Sequence, residues 1–329
     1  MKDEFDFIRS IKPAYTKREE LIEGIGDDAA LYRVDSAWDE IACVDTMVEG
    51  VHFTKDTMDP EQVGRKALAV NISDIAAMGG TPLFYLVSIS IPKSGWSEEE
   101  LKQVYRGLHA IGNEYEIDLI GGDTVSTQDG LTLSVTVIGK VERNRKLLRK
   151  NAEAGDVVFL TGTVGGSAAG LSYLLKETMQ EHAYKDSYVH AHQTPNPHVK
   201  AGRILSRSGF RISLNDVSDG IASEAKEIAE ASCVSVVLEE ECLPSPEGFD
   251  AYSSEQRLDW MLYGGEDFVL IGTVSEKNWL HVEEMFKNQN ESIYKVGFVE
   301  EGNGTVYLMN NENKYILDKK GYNHFSSEE

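Results

Sequence analysis

The chain has 329 residues, of which 41% are hydrophobic and 26% charged, so it is long enough for two globular domains. Lys and Arg number 32 against 55 Asp and Glu, and the net charge of -23 argues against nucleic acid and anionic membranes as partners. No apolar run approaches membrane length and the N-terminal residues show no secretory signal pattern, which predicts a cytoplasmic protein.

The first half of the chain predicts strands that alternate with two helices. The first helix runs from Pro60 to Met78, because Asp59 is a suitable N-cap and Gly79 and Gly80 end the pattern. Ser97 and Glu100 form a capping box for a second helix that extends to about Tyr115. The predicted strands, with the third expected to be buried, are Asp27–Val34, Glu40–Met47, Pro82–Ile91, Asp118–Gly122 and Leu131–Val141.

The polar, basic stretch Glu142–Ala154 predicts a junction between an N-terminal domain of residues 1–142 and a C-terminal domain of residues 143–329. A strand at Asp156–Gly162 opens the second half, and the polar stretch Glu181–Pro197 is interpreted as a surface insertion. Further predicted elements are helices at Val199–Arg207, Ile221–Ala231 and Ser254–Tyr263 and strands at 234–240 and 267–274. The expected architecture is α/β (α+β), with mixed or antiparallel sheets covered by helices on one face.

Acidic residues recur beside glycines and at the ends of predicted strands. Asp74 differs, because it lies inside the first helix among apolar residues. Carboxylates at strand ends can converge on one cleft with exposed backbone and room for a ligand. The residues with this placement are Asp27, Asp28, Asp45, Asp123, Asp216, Asp219, Glu266 and Asp267.

Such a set of carboxylates suits several Mg²⁺ ions, which prefer oxygen ligands and commonly join carboxylates to substrate phosphates. Each position also has a structural interpretation, since a single aspartate at a strand end is commonly a turn residue or a helix cap. Asp74 is open to a second interpretation, in which it pairs with Arg65, Lys66 or a backbone group. The recurrence of the pattern, rather than any one residue, favours a metal site.

Absent motifs narrow the possible classes of phosphate-binding protein. The chain has no GxxxxGK[ST] loop and no HRD or DFG sequence, which excludes P-loop and protein kinases. The glycine-rich segment Gly162–Gly166 leads into a predicted helix and is either structural or an anion site. Cys43, Cys233 and Cys242 show no CxxC spacing, which argues against a disulfide framework or a zinc site.

Seven segments, in order along nearly the whole chain, resemble the thiamine-monophosphate kinase family. They are GIGDDAAL (24–31), VDTMVEGVHF (44–53), KALAVNISDIAAMGGTP (66–82), LIGGDT (119–124), DVSDG (216–220), GGED (264–267) and KGYNHF (320–325). The resemblance implies the two-domain fold of the aminoimidazole ribonucleotide synthetase group, with a barrel-like homodimer interface. It also implies Mg²⁺-dependent transfer of the γ-phosphate of ATP to thiamine monophosphate.

The resemblance further implies the residues of each subsite. Metal ligands would be Asp28, Asp45, Asp74, Asp123, Asp216 and Asp219. ATP would contact Tyr105, Gly122, Asp123, Arg149 and Ser218, and thiamine monophosphate would contact His52, Glu266 and Tyr322. Cys43 and Val44 stand where the family often has Ser-Thr. Valine offers no side-chain oxygen and a neutral thiol is a poor Mg²⁺ ligand, so the number of metal ions stays open.

Two alternatives remain at the level of sequence. One is a sister enzyme of the same fold acting on another small molecule, and the other is a non-catalytic protein that binds metal or nucleotide. Cys43 is the first cysteine and the chain ends SSEE, which fits poorly with relatives that use a reactive cysteine near either terminus. Thiamine monophosphate would attack ATP directly, and its phosphate is already anionic, so no general base is expected.

Overall fold

The computed structural model describes residues 21–23, 27–33, 35–178, 182–311 and 313–317. Within these ranges the chain forms two mixed sheets packed with helices, which confirms the predicted two-domain α/β architecture. The domain boundary at residues 142 and 143 stays a prediction. None of the helices in this part of the chain is long and apolar enough to cross a membrane.

The first sheet has the strand order β1-β2-β3-β6-β4-β5. Its neighbours pair antiparallel except for β4 and β5, which run parallel. Strand β5 can run parallel to β4 because a helix connects the two strands and carries the chain back to the starting end of the sheet. The strands are β1 (Leu21–Glu23), β2 (Ala30–Tyr32), β3 (Trp38–Val48), β4 (Thr81–Pro92), β5 (Asp118–Thr127) and β6 (Thr132–Glu142).

Two helices cover one face of this sheet. Helix α1 (Pro60–Ala77) begins at the predicted N-cap, where Asp59 and Gln62 form a capping box. Helix α2 (Glu98–Glu114) begins at the predicted Ser97–Glu100 capping box. The helices cross at Gly64 and Gly107, where an added Cβ would lie 1.8 Å from Val104 O and Glu61 O respectively. Glycine at both positions therefore lets the two backbones touch.

The second sheet has the order β13-β12-β9-β11-β7-β10-β8, again with a single parallel pair, β9 and β12, among the described strands. Helices cover both faces of this sheet, and every residue of its central strand β7 is accordingly buried. The prediction that helices cover only one face is therefore wrong for this sheet. The strands are β7 (Asp156–Leu160), β8 (Ile212–Asp216), β9 (Val234–Glu239), β10 (Leu270–Ser275), β11 (Tyr294–Glu301), β12 (Thr305–Asn310) and β13 (Asn313–Ile316).

The helices of the second half are α3 (Gly166–Leu174), α4 (Lys185–Gln193), α5 (Val199–Ser208), α6 (Ile221–Ser232), α7 (Ser254–Tyr263) and α8 (Glu276–Asn288). One apolar cluster joins α5 and α8 to one face of the sheet, and another joins α3, α6 and α7 to the opposite face. Short 3₁₀ turns lie at Arg149–Asn151, Glu240–Cys242 and Phe249–Ala251.

Helix α1 connects the two domains. It packs on β3 and β6 of its own sheet and also contacts α5 and β8 of the second domain. Gly202 makes the contact with α5 close, because an added Cβ would lie 2.2 Å from Ala76 O. This packing places the end of α1 that carries Asp74 against the strand that ends in Asp216.

Three further sequence predictions need correction. The strand predicted at Asp118–Gly122 continues to Thr127, so Asp123 lies within β5 rather than after it. The strand predicted as buried, β4, exposes one face, on which Phe84 is 39% exposed. The stretch read as a surface insertion contains α4, which buries Tyr188 and His192 because residues four apart share one helix face.

Candidate active site

Three carboxylates from distant parts of the chain meet between the two domains. Oxygen atoms of Asp28, Asp74 and Asp216 all lie within 4.8 Å of one another. Asp28 precedes β2, Asp74 lies on α1 and Asp216 ends β8, where the hydroxyl of Ser73 donates it a hydrogen bond of 2.6 Å. The fold therefore brings together three of the aspartates whose convergence the sequence predicted. We call these three residues the acid cluster.

Burial and mutual repulsion make it unfavourable for the three carboxylates of the acid cluster to be ionised together without a cation. Burial, and then the charges of Asp45, Asp216 and Asp28, raise the pKa of Asp74 well above its usual range. Burial and Asp28 raise the pKa of Asp216 in the same way, and burial raises the pKa of Asp45 to about 6. Oδ2 of Asp28 is buried without a hydrogen-bond partner in the described part of the chain. A cation among these oxygens would stabilise their ionised forms.

The pairing of Asp74 with a neighbouring base, which the sequence left open, does not occur. Arg65 pairs with Glu114 at 2.8 Å, and Lys66 pairs with Glu266 at 2.9 Å. Besides the neighbouring carboxylates, one side chain near Asp74 is Cys43, which is buried and donates from Sγ to Asn71 O at 3.3 Å. Burial raises the pKa of the Cys43 thiol well above its usual range, so it is a packing residue and not a nucleophile.

A cleft of about 830 Å³ opens beside the acid cluster, a size suited to small-molecule substrates. Nδ1 of His52 accepts a hydrogen bond from Val48 N at 3.1 Å, and the Ser218 hydroxyl donates to Glu224 at 3.2 Å. Both hydrogen bonds fix side chains that line the cleft. The polar lining includes Asp45, His52, Asp74, His192, Asp216, Ser218, Asp219 and Glu266.

The AIR synthase related protein models match this chain, with the N-terminal domain at residues 26–141 and the C-terminal domain at residues 153–309. The thiamine-monophosphate kinase of Bacillus subtilis (strain 168) is 49% identical over 98% of this chain and 99% of that protein. The chain belongs to the thiamine-monophosphate kinase family.

Solved structures agree with membership of the thiamine-monophosphate kinase family. A structure described as AaThiL complexed with AMPPCP and TMP has a TM-score of 0.84 and 29% identity, covering 98% of this chain and 97% of that chain. The thiamine-monophosphate kinase from Stenotrophomonas maltophilia K279a has a TM-score of 0.76 and 30% identity, covering 92% and 94% respectively. The fold that these structures share extends over both domains.

Within this member of the thiamine-monophosphate kinase family, Asp123 does not join the acid cluster. Asp123 on β5 pairs with Ser88 on β4, and Ser88 pairs in turn with Ser134 on β6. The Ser134 hydroxyl accepts a hydrogen bond of 2.9 Å from Thr46 on β3. These residues share the exposed face of the sheet, whereas the side chain of Asp45 points to the opposite face because neighbours alternate along a strand. Gly122 lies on the same exposed edge strand.

Arg149 of the kinase is held by acidic and amide partners. Its guanidinium lies 2.7 Å from Asp28, 2.7 Å from Glu227 and 3.1 Å from Asn215 Oδ1. The group is only 17% exposed, so these contacts place it beside the acid cluster. Its predicted contact with nucleotide phosphate stays a prediction.

Of two further residues implied by the family, one stands apart from the acid cluster and the other lies outside the described residues. Tyr105 lies on α2 and packs against the apolar core of the first domain, where burial raises its pKa. It is absent from the residues that line the cleft. Tyr322 lies outside the described residues, as do Gly24–Gly26 of the first family motif.

The glycine-rich loop before α3 is structural, since a protein carboxylate takes the place of an anion. Asp267 accepts hydrogen bonds from Gly165 N at 2.6 Å and Ser167 N at 3.0 Å. Burial raises the pKa of Asp267 to about 7, although these hydrogen bonds oppose the shift. Of the two interpretations of Gly162–Gly166, the structure supports the structural one.

Sequence reasoning missed several polar residues near the site. Glu224 and Glu227 lie on α6 just after the DVSDG motif, and their spacing of three residues places them on one helix face. Asn215 Nδ2 donates to Glu224 at 2.6 Å, and the backbone N of Asp219 donates to the same carboxylate at 3.0 Å. The helical spacing was a usable signal for this pair. The sequence suggested Lys66 only as a partner of Asp74, and no local signal pointed to its contact with Glu266 or to His192.

Proposed function

We propose that the acid cluster and the adjoining cleft form the active site of a kinase that transfers the γ-phosphate of ATP to thiamine monophosphate. The products would be thiamine diphosphate and ADP. The observation that carries this proposal is the position of three mutually repelling carboxylates beside a cleft of about 830 Å³. The relatives named thiamine-monophosphate kinase and the structure containing AMPPCP and TMP support the choice of substrates.

The donor set of the acid cluster fits Mg²⁺. Its ligand atoms are carboxylate oxygens, and one of them, Oδ2 of Asp28, is buried without a hydrogen-bond partner in the ranges described. Asp28, Asp74 and Asp216 would hold a first ion, and Asp45, Asp219 and Asp123 are the proposed further ligands of several ions. The exposed side chain of Val44 contributes no ligand atom. When bound, Mg²⁺ would neutralise phosphate oxygens and so lower the repulsion between the two substrates.

The protein's own groups have roles in binding and orientation. His52 and Glu266 line the cleft and are the proposed contacts for thiamine monophosphate, with Tyr322 as a third. Ser218, Arg149, Gly122 and Tyr105 are the proposed contacts for ATP. The attacking phosphate oxygen is already anionic, so the transfer requires positioning of two anions in line rather than removal of a proton.

We further propose that the kinase is a homodimer and that it acts in the cytoplasm, where ATP is available. The exposed face of the first sheet supports a dimer, since four large apolar side chains on it lie open to solvent. Their exposed fractions are 60% for Val44, 39% for Phe84, 53% for Ile120 and 45% for Val125. The edge strand β5, which has a single described neighbour, belongs to the same surface.

The variant Asp123→Asn tests whether the exposed face takes part in catalysis. We expect turnover to fall by about 100-fold, because a second copy would place the Asp123 carboxylate beside bound nucleotide and metal. Asp129→Asn, an exposed aspartate in the following turn, is the matched control and should keep parental turnover. Formation of thiamine diphosphate measured by chromatography decides the matter, and near-parental turnover in Asp123→Asn would remove this residue from the site.

A further inference from the structure

A buried ionic contact joins the two domains behind the cleft. Nζ of Lys66 lies 2.9 Å from Oε1 of Glu266, and Nδ1 of His192 lies 3.3 Å from Oε2 of the same carboxylate. Lys66 comes from α1, His192 from α4, and Glu266 from the loop between α7 and β10. We call these three residues the Lys66 cluster. Glu266 and His192 line the cleft, whereas Lys66 lies behind them.

The charge of Lys66 has no access to water. Its side chain is 0% exposed, and Nζ has no well-directed hydrogen bond to any described residue. An isolated ammonium group is strongly disfavoured in such a setting, so the charge of Glu266 is what keeps it in the interior. Glu266 is 29% exposed on the cleft side and thus connects the buried charge to the substrate space.

The neighbours of Glu266 favour its ionised form. Burial by itself would raise the pKa of Glu266, but the charge of Lys66 opposes burial and the pKa is lowered. Burial, and then the charge of Lys66, lower the pKa of His192 to about 4, so this imidazole is neutral at physiological pH. Lys66 and Glu266 therefore form a pair of opposite charges, and His192 adds a neutral polar contact.

The backbone at Glu266 is strained, and several contacts hold it. Glu266 has a φ of 66°, in the left-handed region that residues with a side chain rarely adopt. Its backbone N donates to Ser218 O at 2.7 Å, and the next residue, Asp267, accepts from Gly165 N at 2.6 Å. These bonds tie the loop to its own domain. The ion pair with Lys66 ties the Glu266 side chain to α1, the helix that carries Asp74.

We propose that Lys66 is a positioning residue for thiamine monophosphate, because its ammonium group holds the Glu266 carboxylate at a set place relative to the acid cluster. This inference rests on the proposed contact between Glu266 and the acceptor substrate. Lys66 lies behind the cleft wall and acts through Glu266. Because the charge of Glu266 is already balanced by Lys66, the carboxylate serves as a fixed hydrogen-bond acceptor rather than as a free counter-ion for the substrate's cationic ring.

Steady-state kinetics of four variants test this proposal. Lys66→Met is expected to raise the KM for thiamine monophosphate by about tenfold or more while the KM for ATP changes by less than about twofold. Lys66→Arg keeps the charge and should recover most of the loss. Glu266→Gln should raise the same KM, and Lys66→Met/Glu266→Gln should match Glu266→Gln alone, because residues that act through one another are not additive.

Melting temperatures separate positioning from general stability. Lys66→Met leaves the half-buried Glu266 carboxylate without its cationic partner and should melt at a lower temperature, and the double variant should recover part of that loss. Arg211→Met is the matched control. Arg211 forms an ion pair of 2.7 Å with the buried Asp156, and neither residue lines the cleft. This variant should lower the melting temperature and leave both KM values unchanged.

The outcomes distinguish the inference from the proposed function. If Glu266→Gln raises the acceptor KM and folded Lys66→Met does not, the role of Lys66 is overturned and the proposed site stands. If neither variant changes the KM for thiamine monophosphate, the proposed contact between Glu266 and this substrate is also wrong. Where Lys66→Met fails to fold, the double variant decides: a KM equal to that of Glu266→Gln supports the proposal, and a further tenfold rise contradicts it.

Discussion

Replacing Asp74 with asparagine is expected to lower turnover by about 100- to 1,000-fold, because it removes a central carboxylate from the acid cluster without changing its shape. The same variant should melt at a higher temperature than the parent when metal is absent. Asp74 lies half-buried beside Asp28 and Asp216, and the loss of its charge relieves repulsion worth roughly 1 kcal/mol. A mutation that stabilises the metal-free fold while removing activity is the mark of a site built for a cation.

Turnover and melting of Asp74→Asn are measured on the same preparation, with EDTA and then with Mg²⁺. The stabilisation by Mg²⁺ should shrink in the variant, since one ligand is lost. Asp129→Asn on the exposed β5–β6 turn serves as the control. Parental turnover in Asp74→Asn, or a variant that melts lower than the parent in EDTA, would contradict the assignment of the acid cluster as a metal site.

Stabilisation by Mg²⁺ is expected to be larger at pH 8 than at pH 5. In the metal-free fold the pKa of Asp45 is raised to about 6 from an ordinary 3.8, and the pKa values of Asp74 and Asp216 are also raised. The folded protein therefore binds more protons than the unfolded chain. The stability from these groups is fully present below about 3.8 and is lost as the pH rises through their folded pKa values.

Mg²⁺ reverses this loss because it binds the ionised carboxylates and displaces their protons. At a concentration of about 100 times Kd it should stabilise the fold by about 2.7 kcal/mol, which corresponds to a rise of several degrees in melting temperature. At pH 5 competing protons should reduce the rise. Calorimetry at both pH values tests this, with Ca²⁺-free buffers and EDTA as the reference. A rise in melting temperature that is equal or larger at pH 5 would show that Mg²⁺ binds elsewhere.

Local sequence signals predicted the elements that depend on local physics. The capping boxes at Asp59 and Ser97 begin α1 and α2 where the sequence placed them, because each uses hydrogen bonds within four residues. The helix Ser254–Tyr263 agrees at both ends, with Ser253 as its cap. Three acid residues predicted to converge do so, since each lies at the end of an element or on a helix between the domains.

What the sequence left undetermined depends on register and on distant packing. Asp123 lies in a strand rather than after one, and the pairing of β5 with β4 turns its side chain to the exposed face. That register is set by the whole sheet and not by the LIGGDT motif. Lys66 and Glu266 are 200 residues apart in the chain, so their contact follows from the packing of α1 between the domains. The sequence did not indicate that His192 is buried, because only two residues of helix α4 are buried and the surrounding stretch is polar.

The most direct test of the central claim is product formation from purified protein, ATP, Mg²⁺ and thiamine monophosphate, followed by chromatography. Thiamine diphosphate should appear with the monophosphate and metal present, and should be absent with EDTA or with free thiamine as the acceptor. No thiamine diphosphate, in a protein that still binds Mg²⁺ and ATP, would contradict the account and assign the site to another acceptor or to binding without catalysis.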